Sequence, residues 1–481
     1  MKDTIVRFPP SPTGKLHLGT ARTALFNYLF AKKNNGKIIF RWEDTDRERS
    51  KTEFETEILD GLKWLGLDFS SMPETTFYRQ TDSSEQHASG LQKLWKSEKI
   101  FPCFSTPEEA VQIKKDHPNG VFWSPFRDLP RDEAENRIKT DKFVWRIKTP
   151  KNEEITFDDI IRGKVSINTA TIGDFVLARA DGSVLYLLAN VLDDIAQGVT
   201  NVIRGEDGLS NTPKQILLYE ALGEKIPSYA HMPLVLDAQK RKLSKRNVEP
   251  GTCVLISDFR EAGFLPEAVL NGLAFLGWHP KTTEEVFSLE ELEKIFELKN
   301  VNPAGAQFNF EKFKFYNKTW LKKLSQEEVV AKYKDWAAEF FPELVEKYFN
   351  TENFNKAFLL ATEKAVTLSD IAPEFEYLID DPKLDKNLLQ NEKFGIDQSF
   401  ASKMLNEIAT MLQNIDEADF NSAFIREKAI EVIAKLDVKN GQFLWPFRTA
   451  LSNREKSSGP FDIAEALGKT ETLRRVERAK N

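Results

Sequence analysis

The chain has 481 residues, and its 67 Lys and Arg against 74 Asp and Glu leave a formal net charge of −7. That length exceeds a single core, so several domains are expected, and the only cysteines, Cys103 and Cys253, exclude a disulfide framework and fit a reducing compartment. No apolar run reaches membrane-spanning length, and Met1-Lys2-Asp3 leads into a strand-like segment without a signal pattern, so a cytoplasmic protein without a membrane partner is expected.

Thr4 to Phe8 reads as a short strand, with Ile5, Val6 and Phe8 apolar. The prolines between Pro9 and Gly14 can continue neither strand nor helix. From Thr20, Ala21, Ala24, Leu25, Tyr28 and Leu29 recur at helical spacing, and a second strand follows at Lys37 to Trp42. Strand, turn, helix and strand form the first unit of an α/β doubly wound sheet, whose ligands bind at the carboxyl ends of the strands. His17 precedes the helix and can donate to a phosphate oxygen, while Gly19 permits close approach to the backbone. On the local pattern alone, a turn histidine without a role is an equal reading.

Residues 1–82 therefore form the first half of this domain. Residues 83–189 read as an insertion of mixed structure, with a helix from Ser83 to Lys96 and strand-like alternation from Lys142 to Ile147. Residues 190–250 complete the sheet, with a helix around Lys214 to Leu222. Met232 to Leu236 looks like a buried strand that delivers the basic loop Gln239 to Arg246, five cations in eight residues. Such a run can be solvated surface, a nucleic-acid contact or a cover for a triphosphate, and the strand-end placement favours the last. Residues 251–322 form a smaller helical module. The remainder, 323–481, reads as all-helical from the capping-box pattern Ser325-Gln326-Glu327-Glu328 onward. Cationic clusters at 240–246 and 474–480 could supply phosphate contacts. The five histidines, His17, His87, His117, His231 and His279, show no metal-ligand spacing.

Together these segments resemble the bacterial glutamyl-tRNA synthetases, class I aminoacyl-tRNA synthetases. His17-Leu18-Gly19-Thr20 resembles the class "HIGH" signature, and Lys242-Leu243-Ser244-Lys245-Arg246 resembles "KMSKS". Arg7 to Gly14, Arg41 to Asp46, Val202 to Asp207, Ser210 to Gln215, Pro446 to Leu451 and Leu473 to Arg478 are also similar to the family, so the likeness covers essentially the whole chain. The resemblance implies a Rossmann-like catalytic domain with an inserted α+β domain that grips the tRNA acceptor end. All-α stem-contact and anticodon-binding domains would follow. It implies ATP-dependent attachment of L-glutamate to tRNA(Glu) through a glutamyl-adenylate, by a monomer using ATP with Mg²⁺. His17, Lys242 and Lys245 would be catalytic. Pro10, Ser11, Thr13, Gly14, Gly19, Thr20, Leu243, Ser244 and Arg246 would complete the ATP site.

The resemblance also assigns the amino-acid pocket. Arg7 would take the side-chain carboxylate and Glu43 the amino group, with Ser11, Tyr186 and Arg204 at further pocket positions. On its apolar surroundings alone, Tyr186 would be a core residue. Some relatives carry zinc near the position of Cys103, but here Phe104 and Ser105 follow it, so no structural zinc is expected. Leu187, Ile195 and Gly208 stand where the family often has His, His and an aromatic or His, which puts amino-acid positioning in question. The stretch Ala361 to Val366 carries no arginine where the family reads the anticodon, so charging of tRNA(Gln) as well is a further expectation. The alternative is a catalytically altered, synthetase-like tRNA-binding paralogue.

Overall fold

Seven strands build the central sheet of the N-terminal unit, and the two at its heart are nearly devoid of exposed side chains. The computed structural model describes residues 3–348 and 354–480. The strands, in chain order, are β1 (Ile5–Phe8), β2 (Lys37–Trp42), β3 (Thr75–Arg79), β4 (Ile100–Cys103), β5 (Val144–Ile147), β6 (Glu154–Asp159), β7 (Gly163–Asn168), β8 (Val176–Arg179), β9 (Asn201–Gly205), β10 (Ser228–Met232), β11 (Val235–Leu236) and β12 (Ala306–Gln307). The main sheet has the order β3-β2-β1-β9-β10-β6-β7. It is parallel from β3 to β6, and β6–β7 closes it as an antiparallel hairpin. Parallel strands covered on both faces are expected to be continuously apolar. Ile38, Ile39, Phe40 and Trp42 of β2 obey that rule, and Phe40 packs its ring 5.4 Å from Phe8 and 5.6 Å from Phe69. Arg7 and Arg41 break it, at 2% and 0% exposure.

The strand order reverses between β1 and β9. That is the switch point where such sheets open a crevice beyond their carboxyl ends. The helix Leu18–Lys33 starts there, with His17 as its N-cap. It is tied across the crevice by Asn27 Nδ2, which donates to the Ile203 carbonyl at 3.1 Å.

Several sequence expectations change. The 83–189 insertion is not wholly separate from the sheet: β4, β5 and β8 form their own three-stranded antiparallel sheet, but β6 and β7 extend the main one through Tyr229 and Asp159. The strand read as Met232 to Leu236 is broken by Pro233, whose missing N–H cannot continue the ladder, and β11 instead pairs with β12. The chain divides into Met1–Phe259 with Pro266–Tyr316, and Arg260–Leu265 with Asn317–Asn481. Most of the module read as 251–322 thus belongs to the sheet-bearing unit. Phe296 is one reason, with its ring 5.1 Å from Phe26, and Arg22 Nη1 is another, donating to the Leu276 carbonyl at 3.0 Å.

Among the described residues, the regular elements of the second unit are all helical. Its first long helix, Gln326–Phe340, begins at the expected capping box: Glu328 N–H donates to Ser325 Oγ at 3.2 Å, and Ser325 N–H to Glu328 Oε2 at 2.7 Å. The final helix, Pro460–Lys480, kinks at Gly468, where φ is +77°. The basic cluster at 474–480 proves to be an internal brace. Arg474 and Arg478 meet Asp381 at 2.7 and 2.5 Å, and Arg475 meets Glu471 at 2.7 Å. Arg475 is 1% exposed and donates to the Tyr377 and Leu451 carbonyls. Arg475→Met should therefore lower the stability of this unit by about 3 kcal/mol, because buried acceptors lose their donor. Arg474→Met, which removes an exposed pair, should cost less than about 1 kcal/mol. Urea denaturation followed by circular dichroism measures both.

Candidate active site

The crevice at the β1/β9 switch point is a cleft of about 650 Å³. Its floor comes from strand ends: Arg7 and Phe8 of β1, Glu43 after β2, and Ile203, Arg204 and Gly205 of β9. Its rim comes from His17, Gly19 and Thr20 at the helix start and from Lys242, Leu243 and Ser244 of the basic loop. Two ends of different chemistry result.

At one end, charges are buried in excess of their internal partners. Arg41 Nη1 lies 2.8 Å from Asp194 Oδ1 and donates to Gln197 Oε1 at 2.6 Å, while Nη2 donates to Asn190 Oδ1 at 3.2 Å. Arg7 reaches the other Asp194 oxygen only through Nε, at 3.4 Å. Its Nη1 is buried without a hydrogen-bond partner among the described residues, as is Nη1 of Arg204. Glu43 accepts from Asn190 Nδ2 and lies 3.5 Å from Arg41 Nη2. Burial pushes its carboxyl above the usual range, against the opposing pull of Arg41 and Arg7. A cationic group placed beside it would relieve that penalty. Two free guanidinium donors and one desolvated carboxylate match an amino acid that carries a second carboxylate.

At the other end, His17 Nδ1 accepts the Gly19 N–H at 3.2 Å, so its proton sits on Nε2, free to donate. Burial, then the nearby Lys242, hold His17 below its usual pKa and keep it neutral. The basic loop is tightly built. Asp237 Oδ1 accepts the Gln239 and Arg241 N–H groups at 2.9 and 2.8 Å, and Lys240 takes a left-handed φ of +62°. Arg241 is spent on Asp237, at 2.9 Å. Lys242 stands 3.8 Å from Asp207 on the rim, whereas Lys245 is drawn away to Asp258, at 3.2 Å. This end offers a neutral donor and a lysine to an anion such as phosphate.

The cleft thus gathers Arg7, Pro10, His17, Gly19, Thr20, Glu43, Tyr186, Arg204, Lys242, Leu243 and Ser244. Ser11, Thr13, Gly14, Lys245 and Arg246 lie outside its lining. Tyr186 is not a core residue: it opens the helix Tyr186–Ala196 and is 46% exposed. Leu187 and Ile195 pack against the hydrophobic core rather than into the cleft. At Gly208, a Cβ would lie 2.5 Å from Arg204 Nε, so glycine makes room for the guanidinium rather than leaving a hole. Cys103 is buried with Phe101 and Phe122, its Sγ accepting from Ser124 Oγ at 3.3 Å.

Sequence reasoning assigned no role to Arg41, Asn190, Asp193 or Asp194. The available signal was charge inside apolar elements: Arg41 in Lys37–Trp42, and the two aspartates in Tyr186–Ala196. His87 Nε2 and Gln80 Nε2 each approach a different Asp193 oxygen at 2.7 Å, so that carboxylate is satisfied independently of the cleft.

Comparison with known proteins converges on one group. The family model described as tRNA synthetases class I (E and Q), catalytic domain, matches residues 3–315, and an anticodon binding domain matches 328–480. The chain is 37% identical to the glutamate–tRNA ligase of Aquifex aeolicus, over 99% of both chains. It is 35% identical to glutamate–tRNA ligase 1 of Caldanaerobacter subterraneus, over 100% of this chain and 98% of that one. A crystal structure of a glutamate tRNA ligase from Elizabethkingia meningosepticum, in complex with its amino acid, superposes with a TM-score of 0.84 at 32% identity, covering 100% of this chain and 99% of that one.

The Gly208 geometry is directly testable. Gly208→Ala forces its new methyl against Arg204 and should weaken binding of an acidic amino acid by about tenfold, on the scale of about 1.4 kcal/mol. Calorimetric titration of the folded variant measures it.

Proposed function

The chain belongs to the class I tRNA synthetases for glutamate and glutamine and attaches glutamate to tRNA, and we propose that it does so through the cleft at the β1/β9 switch point. The single observation that carries the assignment of the pocket is the pair of buried, unpartnered Nη1 atoms of Arg7 and Arg204 in a cleft that also holds Glu43. The glutamate side-chain carboxylate bridges the two guanidinium groups, and its ammonium lies against Glu43. Tyr186 lines the same cleft, and Ser11, in the turn after β1, is assigned to the pocket on the family resemblance alone.

The glutamate α-carboxylate attacks the α-phosphorus of ATP. The bond to the β-phosphate oxygen breaks, and glutamyl-adenylate and pyrophosphate result. A hydroxyl of the terminal tRNA ribose then attacks the activated carbonyl, and AMP leaves. Neither step needs a protein nucleophile, so the enzyme works by positioning and by stabilising phosphate charge. His17 Nε2–H and Lys242 serve the phosphates. Lys245 joins them on leaving Asp258, and the backbone from Pro10 through Thr13 and Gly14, with Gly19, Thr20, Leu243, Ser244 and Arg246, frames the nucleotide. Mg²⁺ would enter with the nucleotide and offset part of the phosphate charge.

The enzyme is proposed to act as a cytoplasmic monomer, with the helical unit 323–481 reading the anticodon and 83–189 and 251–322 contacting the acceptor end and stem. Relaxed tRNA choice follows from the stretch Ala361 to Val366. Its one basic side chain, Lys364, donates to the Ser457 carbonyl at 3.1 Å and cannot supply the planar fork of an arginine.

Three results check this reading. In ATP–pyrophosphate exchange with tRNA present, Arg7→Ala should raise the glutamate KM at least thirtyfold, a loss of about 2 kcal/mol or more, with the ATP KM within threefold. Lys242→Ala and Lys245→Ala should each lower the exchange rate about 10²-fold while tRNA binding persists. Offered purified tRNA(Glu) and tRNA(Gln) in parallel, the enzyme should glutamylate both, and charging of the first alone would reject relaxed choice. A tRNA-binding paralogue without activity would bind tRNA and show no exchange at all.

A further inference from the structure

Arg204 is held by more acceptors than a pocket arginine needs. Its Nη2 donates toward the Gly208 carbonyl at 3.1 Å, Thr212 Oγ1 at 2.8 Å and Gln215 Oε1 at 2.7 Å. Its Nε donates to His231 Nε2 at 3.1 Å. Only Nη1 is left without a partner among the described residues.

The contact with His231 fixes a protonation state. A guanidinium has no acceptor, so His231 Nε2 must carry a lone pair and the ring proton must sit on Nδ1. Asp159 Oδ2 lies 2.6 Å from that Nδ1 and also accepts the His231 backbone N–H at 3.1 Å. Asp159 is itself fixed, since its Oδ1 accepts the Ile161 and Arg162 N–H groups at 3.0 and 2.9 Å. Thr212 Oγ1, at 2.9 Å from Nε2, can donate to the same nitrogen. The ring is 0% exposed, and burial holds its pKa below the usual value, which favours the neutral form.

We propose that His231, set in its neutral Nδ1–H form by Asp159 of the β6–β7 hairpin, is a positioning residue that commits Nη1 of Arg204 to the side-chain carboxylate of glutamate. With Nε anchored and Nη2 engaged, rotation about the Cδ–Nε bond is blocked, and the side chain is held in the cleft lining with one donor unspent. The inference rests on the reading that Arg204 binds that carboxylate. It adds a residue that touches neither substrate and whose effect is confined to the amino-acid end.

The test uses the full-length enzyme with tRNA and ATP–pyrophosphate exchange. His231→Leu keeps bulk but removes both ring nitrogens, while His231→Gln retains an amide oxygen that can accept from Arg204 Nε. His231→Leu is expected to raise the glutamate KM about tenfold, with the ATP KM and kcat within twofold. His231→Gln is expected to recover at least half of that loss on a logarithmic scale. An unchanged glutamate KM in His231→Leu, or an equal rise in the ATP KM, overturns the proposal. If His231→Leu does not fold, as judged by its thermal midpoint, His231→Gln carries the test against Asp159→Asn. Both should then fold and raise the glutamate KM selectively, by less than tenfold, and a nonselective or absent effect overturns the proposal. Arg204→Ala separates the two levels. If it leaves the glutamate KM unchanged, the pocket reading itself fails. If it raises that KM while the His231 variants do not, only the positioning role fails.

Discussion

Arg41 has no exposed surface, yet it carries a full charge at the end of a strand whose other interior residues are apolar. Stripping water from such a group costs several kcal/mol, and only well-placed acceptors offset that cost. Asp194, Asn190 and Gln197 supply them, with Glu43 and Asp193 at 3.5 and 3.8 Å. The consequence for function lies in what is left over. Because Arg41 takes Asp194 at 2.8 Å, Arg7 keeps only a long contact of 3.4 Å to the same carboxylate. The cleft is therefore lined by buried, under-satisfied arginines and a desolvated Glu43, an arrangement suited to a zwitterion with an extra carboxylate.

The sheet topology places this charge cluster beside the phosphate end. β1 contributes Arg7 and then breaks at two prolines. The chain re-enters as a helix capped by His17, within the same crevice. β9 arrives from the far side of the switch point with Arg204, and the loop after β11 brings Lys242 over the rim. In the proposed reading, one parallel sheet thus sets an acidic amino acid and a triphosphate next to each other. For a reaction between a carboxylate and an α-phosphorus, that proximity is the main requirement. Lys245 rests on Asp258, so full engagement of the phosphates requires that contact to exchange.

Much of this was legible in the sequence because its signals were local. Helical periodicity after His17, the second strand from Lys37 to Trp42 and the Ser325 capping box depend on neighbours a few residues apart, and all three occur. Long-range partnerships were not legible. Nothing near Arg474, Arg475 and Arg478 announces that Asp381 and Glu471 neutralise them, so the run read as available charge. The β6–β7 hairpin could not be assigned to the main sheet from its own residues, since its attachment is made by Tyr229, seventy residues beyond Asp159. Gly208 read as lost bulk because sequence cannot show the Arg204 side chain occupying that space. Tyr186 was placed in the pocket by the family resemblance alone, because its apolar run by itself reads as core and does not reveal that its first helical residue lines a cleft.

The most direct measurement is a crystal structure of the enzyme with L-glutamate and a nonhydrolysable ATP analogue. The account requires the side-chain carboxylate within hydrogen-bond distance of Nη1 of both Arg7 and Arg204, the ammonium on Glu43, and the phosphates against His17 and Lys242. Glutamate bound with its side-chain carboxylate away from both arginines, or its ammonium away from Glu43, would contradict it.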